Sequence, residues 1–326
     1  MRTRRLPAAV VALAAVVSLV ACGGQRDEPT GSGSADGGRL TIATGNTTGV
    51  YYQLGGALAS LISQKVSGYR ATASETGASV QNVQGLVAGN YDIAFSLGDT
   101  AADAVKGVNS FNQPQDVVAL TKLYNNYTQV AVRTSAGINS IADLKGKRVS
   151  TGSPNSGTEV IARRLLEAAG LDPAKDVTAQ RLGLPESVDA MKSGSIDALV
   201  WSGGLPTGGI TDLTTSMGKN VKLIPIVDLL PKMQEKYGPV YSQAPIPAAT
   251  YKQPADVATI VVPNVLLVRK NMKDDLAEQL TKVIYENKDA LVAVNAAAKG
   301  IDLANADKTD PVSVHPGAKK AIDALR

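Results

Sequence analysis

The 326-residue chain contains one cysteine, Cys22, and one histidine, His315. A lone cysteine excludes an internal disulfide. Zinc, haem and iron–sulfur centres need more thiolate or imidazole ligands than these two residues supply, so neither a metal nor a cofactor is expected. Aromatic residues make up 4% of the chain, with two phenylalanines and one tryptophan, Trp201. That is little with which to clamp a sugar ring between aromatic faces, and it weakens a carbohydrate ligand. Charge is also scarce. The formal +4 includes Arg2, Arg4 and Arg5 of the extreme N-terminus, and without that segment it falls to +1. A nearly neutral body gives no footprint for nucleic acid. The apolar run from Ala8 to Val20 is shorter than the roughly 20 residues that span a bilayer, and no later run is long enough.

Basic residues followed by that short apolar run read as a secretory leader. The run ends in Leu19-Val20-Ala21-Cys22, which resembles a bacterial lipobox. The expectation is a signal peptide over 1–21, lipidation of Cys22 to give a palmitate-bearing lipoprotein, and a flexible linker over 22–38, rich in Gly, Ser and charge. Such a chain sits lipid-anchored on the extracytoplasmic face of the cell membrane.

The body contains a repeat. RLTIATGNTTGVYY from Arg39 is followed by SVQNVQGLVAGNYDIAFS from Ser79. KRVSTGSPNSGTEV from Lys147 is followed by SVDAMKSGSIDALVWS from Ser187. Each half has a β-prone strand ending in Thr-Gly, a polar loop and a helix, then a Ser-Val helix start and a Gly-x-x-Asp turn into another strand. Gly45 to Asp92 covers 47 positions, and Gly152 to Asp197 covers 45. Val50, Leu54, Leu58, Leu61 and Ile62 share one helical face, as do Ile161, Leu165, Ala168 and Ala169. Alternating strands and helices predict two α/β lobes with largely parallel sheets and a cleft between them. Ligands of such sheets bind where strand ends lead into helix N-termini.

The loops at that position carry the candidate site. Gly45, Asn46, Thr47, Thr48 and Gly49 form the first. Ser79 with Asn82 forms the second, and Ser156, Gly157 and Thr158 form the third. Ser202, Gly203, Gly204 and Thr207 form the fourth. Glycine allows backbone approach, hydroxyls donate, and helix starts favour anions. Any one loop taken alone reads better as the cap of its own helix, but four arranged by duplication favour a shared anion site. Tyr51 and Tyr52 point about 100° apart on a helix, so one can reach a ligand while the other packs, and the pattern leaves open which. Trp201 ends a strand beside the fourth loop, where cleft lining and core packing are both open. Arg163 and Arg164 read as a solvated helix face.

The stretches ATGNTTGVYYQLGGALA, DLKGKRVSTGSPNSGTE, GLPTGGITDL and HPGA resemble the TAXI family, the extracytoplasmic solute receptors of one class of TRAP transporters. The likeness runs from about Leu40 to Ala318. It implies a two-lobed periplasmic-binding-protein-like (type II) α/β fold. Lobe 1 would be 39–126 plus about 256–326, and lobe 2 about 127–255. The crossings would fall near Tyr124–Tyr127 and around Pro254–Val262, with the helices after Met272 returning to lobe 1. It implies a monomeric receptor that captures a small organic anion of the glutamate, dicarboxylate or 2-oxo acid class and hands it to TRAP membrane subunits. Contacts are implied from the first loop, Tyr51 or Tyr52, Ser79, Asn82, Ser156, Gly157, Thr158, Pro206 and Thr207. The chain departs from the family pattern at Asn46, Thr48, Ala78 and Asn155, where glycine is common, at Gln53, where proline is common, and at Leu97, where a polar residue is usual. These changes would narrow the pocket or remove a polar contact.

Three other readings compete with this one. Two-lobed lipoproteins also serve ABC importers for phosphonates, sulfonates or thiamine precursors, or feed sensor kinases. A hydrolase would need His315 beside Ser79, Ser156 or Ser202. The motif VSVHPGAKK instead suggests a helix cap, so an enzyme is not expected. An adhesive surface protein would have no need of duplicated anion-ready loops.

Overall fold

The computed structural model describes residues 38–326. The leader, Cys22 and the linker up to residue 37 lie outside the described residues. In chain order the elements begin with β1 (Arg39–Ala43), α1 (Val50–Lys65), β2 (Arg70–Ser74), α2 (Ser79–Val87), β3 (Ile93–Leu97), α3 (Gly98–Lys106) and the long β4 (Val117–Arg133). The chain continues through β5 (Arg148–Ser150), α4 (Gly157–Ala168), β6 (Thr178–Gln180), α5 (Leu184–Ser193), β7 (Ala198–Gly203), α6 (Gly208–Met217) and β8 (Val221–Leu223). It closes with α7 (Leu230–Tyr237), β9 (Ser242–Ile246), α8 (Ala248–Tyr251), the long β10 (Val257–Arg269), α9 (Asp274–Glu286), α10 (Lys288–Val294) and α11 (Pro316–Leu325).

The strands join in the order β2-β1-β3-β10-β4-β7-β5-β6, with β8 added on β4 and β9 on β10. The order exposes the repeat. In the first half β1 pairs β2 and β3, both parallel, and β3 meets β10 antiparallel. In the second half β5 pairs β6 and β7, both parallel, and β7 meets β4 antiparallel. The long antiparallel pair β4–β10 joins the halves. This is the mixed α/β, two-lobed type II architecture of periplasmic binding proteins.

Sequence chemistry accounts for the placement. β3, flanked on both sides, is buried along its whole length, as a strand covered on both faces must be. β2 is the edge, and its Arg-Ala-Thr-Ala-Ser sequence is half exposed. The two Gly-x-x-Asp turns do matching work. Oδ2 of Asp92 accepts the backbone N–H of Thr41 at 2.9 Å, and Oδ2 of Asp197 accepts that of Arg148 at 2.9 Å. Each aspartate therefore fixes the strand that starts its half. The expected apolar stripe of α1 is buried against the first half, and that of α4 against the second.

The reading of Arg164 as a solvated side chain is wrong. Arg163 is exposed, but Arg164 is 2% exposed. Its guanidinium meets Asp99 at 3.3 Å and Asp103, both on α3, donates to Tyr241 at 2.7 Å and lies over the Tyr237 ring. Burial opposes its charge, but Tyr241, Asp99 and Asp103 outweigh that and hold its pKa above the ordinary value. A period-3.6 count places Arg164 beside the apolar face of α4, and only the arrival of α3 supplies its carboxylates. Arg164 thus ties a helix of the second half to a helix that follows β3.

Candidate binding cleft

Helix starts set the site. α1 begins after Gly49, which has no side chain to cap it. α2 begins after Ala78, whose φ of 83° is a left-handed value costly for a residue with a Cβ. α4 begins after Ser156, whose Oγ accepts the N–H of Glu159 at 2.9 Å. The first backbone N–H groups of each helix have no intrahelical acceptor. All three starts line one cavity of about 30 Å³, together with the end of β7 and the middle of β4. That is room for roughly two water-sized groups, so the halves are closed on one another here.

Several expected residues meet at this cavity: Gly45, Asn46, Tyr51, Ser79, Ser156, Gly157, Thr158, Trp201 and Gly204. Asn46 spans the halves, its Oδ1 accepting the N–H of Leu184 at 3.0 Å and its amide lying 3.3 Å from Ser153 Oγ. Gly157 sits where the halves touch, since a Cβ there would fall 2.6 Å from Leu97 and 2.7 Å from Ser79 Oγ. Of the two tyrosines, Tyr51 faces inward at 8% exposure and Tyr52 is exposed at 37%. Trp201 lies against Gly49 of the first loop and donates from Nε1 to Thr207 at 3.2 Å.

Seven expected residues do not line the cavity. Thr47 and Pro206 are exposed, as is Tyr52. Gly49 is the α1 cap, its N–H bonded back to Asn46 O at 2.9 Å. Thr48 lies beside Gly209, its buried hydroxyl without a partner among the described residues. Asn82 is a structural post. Its Nδ2 donates to Thr44 O at 2.7 Å and Phe95 O at 2.8 Å, and its Oδ1 accepts from Thr76. Thr207 stands behind Trp201, donating to Gly204 O at 2.7 Å.

Sequence reasoning missed the floor. Tyr124 and Asn126 of β4 line the cavity. Asn126 Oδ1 accepts from Asn264 Nδ2 at 2.8 Å, and Asn264 Oδ1 accepts the Tyr51 phenol in a short hydrogen bond. Asn264 sits on β10 at an irregularity in its pairing with β4. The available clue was a pair of asparagines, Asn125 and Asn126, in the middle of a strand rich in apolar and β-branched residues. Val50 and Gly77 were missed as well.

Two lining hydroxyls, Tyr124 Oη and Ser202 Oγ, are buried without a partner among the described residues, although buried polar atoms are normally paired. Thr158 Oγ1 accepts the N–H of Ser202 at 3.2 Å and Ser79 Oγ that of Leu97 at 3.1 Å, which leaves their hydroxyl hydrogens to donate. Burial raises the pKa of Tyr51, reinforced by the charge of Asp99 against the hydrogen bonding of Ser79 and Asn126, and burial raises that of Tyr124. Both phenols therefore stay protonated donors. His315 is occupied elsewhere. Its Nδ1 accepts the N–H of Gly317 at 3.1 Å at the start of α11, and its Nε2 lies 3.0 Å from Met272 O. Among the described residues no cluster of three or more His, Cys, Asp or Glu is placed to hold a metal, and no helix is long and apolar enough to cross a membrane.

The NMT1-like family model matches residues 42–322. Among solved structures, a protein of Bordetella bronchiseptica RB50 is similar at TM-score 0.57 and 19% identity, covering 88% of this chain and 98% of its own. The binding protein component of an ABC phosphonate transporter from Pseudomonas aeruginosa is similar at TM-score 0.55 and 13% identity, covering 81% of this chain and 80% of its own. At these identities the likeness is one of fold.

Proposed function

The chain belongs to the NMT1-like family, and from that premise we propose that it is an extracytoplasmic solute receptor, held to the cell membrane by lipid on Cys22, that captures a small organic anion for a membrane importer. The observation that carries this is one narrow cavity lined by three helix starts and by Tyr124 and Ser202, whose buried hydroxyls have no partner among the described residues. Helix starts favour an anion by roughly 0.3–1 kcal/mol each at exposed sites and more when partly buried. The lobes, 39–126 plus about 256–326 and about 127–255, open about the β4–β10 crossing and close over the ligand. The loop residues, with Tyr51 and Trp201, hold it. No covalent step is involved.

For the membrane partner, the likeness to an ABC phosphonate binding component favours an ABC importer. A TRAP-type partner rests on the motif resemblance from Leu40 to Ala318. A gene for an ATPase beside this one supports the first, and a gene for a large multi-spanning permease supports the second. The receptor reading is tested by melting the full chain, unfolded and refolded to strip bound solute, against carboxylates, amino acids, phosphonates and sugars. A ligand of the native state raises the melting temperature as its concentration passes the dissociation constant. A chain that responds to nothing in that panel is not such a receptor.

A further inference from the structure

The cavity is rich in donors and lacks charge. Three helix starts open onto it, those of α1 at Val50 and Tyr51, α2 at Ser79, and α4 at Gly157 and Thr158. Tyr124 and Ser202 line it and are 2% and 6% exposed, and their hydroxyls are buried without a partner among the described residues. Among the described residues, none that lines it is charged. The carboxylate whose charge reaches Tyr51 is that of Asp99. It is already committed, 3.3 Å from Arg164 Nη1 and accepting from Tyr241 at 2.6 Å.

These facts set a charge rule for the ligand. One carboxylate can accept from several helix N–H groups and hydroxyls at once, with no cation present. An ammonium group in the same narrow space would lose hydration and find no free carboxylate. A second carboxylate would find no arginine or lysine, and the apolar part of the wall includes Val50, Ala78, Leu97 and Trp201. Burying an uncompensated charge costs several kcal/mol. The narrowness of the cavity, about 30 Å³, favours a small acid as well.

We infer that this cleft selects a small monoanionic acid, with one carboxylate and no ammonium, over zwitterionic amino acids and over dicarboxylates. The inference rests on the receptor reading above and narrows it, removing glutamate and the dicarboxylates from the expected class. The selectivity is electrostatic, set by what the wall lacks, and its positive determinants are the hydroxyls of Ser202 and Tyr124.

The test is calorimetric titration of the full refolded chain with size-matched sets. One set is lactate and alanine, a second is 2-hydroxybutyrate and 2-aminobutyrate, and a third is butyrate and malonate. A monoanion should bind more tightly than its amino or dicarboxylate counterpart by about 30-fold or more. Binding of an amino acid or dicarboxylate as tight as that of the matched monoanion overturns the inference and leaves the receptor reading standing. Binding confined to the phosphonates of the melting panel does the same, and binding confined to its sugars overturns both the inference and the organic-anion reading. Silence toward all of these compounds removes the receptor reading itself. As a second measurement, Ser202→Ala and Tyr124→Phe should each weaken binding of the preferred monoanion by about tenfold or more, with the melting temperature of the ligand-free chain unchanged. Affinity unchanged in both variants overturns the assignment of these hydroxyls to the ligand.

Discussion

The phenol of Tyr51 donates its hydrogen bond to Oδ1 of Asn264, 213 positions further along the chain. Asn264 also donates through Nδ2 to the backbone oxygen of Tyr124 at 2.9 Å and to Asn126 Oδ1 at 2.8 Å. One buried amide thus fastens the first turn of α1 to both strands that cross between the halves. Replacing it with an apolar residue of similar size, Asn264→Leu, leaves Tyr51 Oη and Asn126 Oδ1 buried without this partner. Each orphaned group costs about 1–3 kcal/mol, so the variant should lose about 2–6 kcal/mol in urea unfolding. A loss under 1 kcal/mol would show that water reaches these atoms and that the amide is not a fastening.

Arg164 offers a second case of a buried polar group whose partners come from elsewhere. Arg164→Ala leaves Asp99, whose side chain has no exposure, without its counter-charge. Removing one member of a buried ion pair typically costs 3–5 kcal/mol, and the midpoint of urea unfolding should fall accordingly. Asp99→Asn in the Arg164→Ala background should recover part of that loss, because it removes the stranded charge. No recovery would mean that packing against Tyr237, rather than charge, sets the cost.

The two cases mark what the sequence carries and what it does not. The repeat was legible because Thr-Gly loops and Gly-x-x-Asp turns are local signatures, and the strand orders 2-1-3 and 6-5-7 reproduce it. The helix starts at Val50, Ser79 and Gly157 were legible for the same reason. The floor of the cavity was not. Asn126 and Asn264 are 138 positions apart, and nothing near either residue shows that each is the other's partner. Asn82 and Thr207 were read as ligand contacts because their residue types suit the task. Neighbouring carbonyls, which only tertiary structure brings close, had already taken their hydrogen bonds.

Alkaline stability follows from the buried phenols. Burial pushes Tyr251 and Tyr285 up to about 12 and raises Tyr51, Tyr124 and Tyr241 as well. An unfolded tyrosine releases its proton near pH 10. Below that value folded and unfolded chains hold the same phenolic protons and stability is unaffected. As pH rises above 10 the unfolded chain loses protons that the folded chain keeps, so stability falls, by about 1.4 kcal/mol per pH unit for each such tyrosine. Urea midpoints measured from pH 9 to 11 should bend downward near 10. Tyr124→Phe should reduce the slope by one tyrosine without lowering stability at pH 7, since the hydroxyl it removes has no partner. A midpoint that stays level to pH 11 would mean that these phenols ionise in the folded state.

Gly157 tests whether closure and binding are one event. A Cβ at this position would stand 2.6 Å from Leu97 Cδ1 and 2.7 Å from Ser79 Oγ, both across the cleft. Real Cβ atoms do not come so close, so Gly157→Ala must hold the halves apart or displace Leu97 and Ser79. The first position of α4 tolerates alanine, so the fold of each half should survive. The variant should remain cooperatively folded without ligand, yet bind the anion at least about tenfold more weakly, since about 1.4 kcal/mol of lost closure contacts suffices for that. Melting curves and calorimetry on the same preparation separate the two effects. Unchanged affinity would mean that the ligand is held by one half alone, and that the contact between Gly157 and Ser79 is incidental to capture.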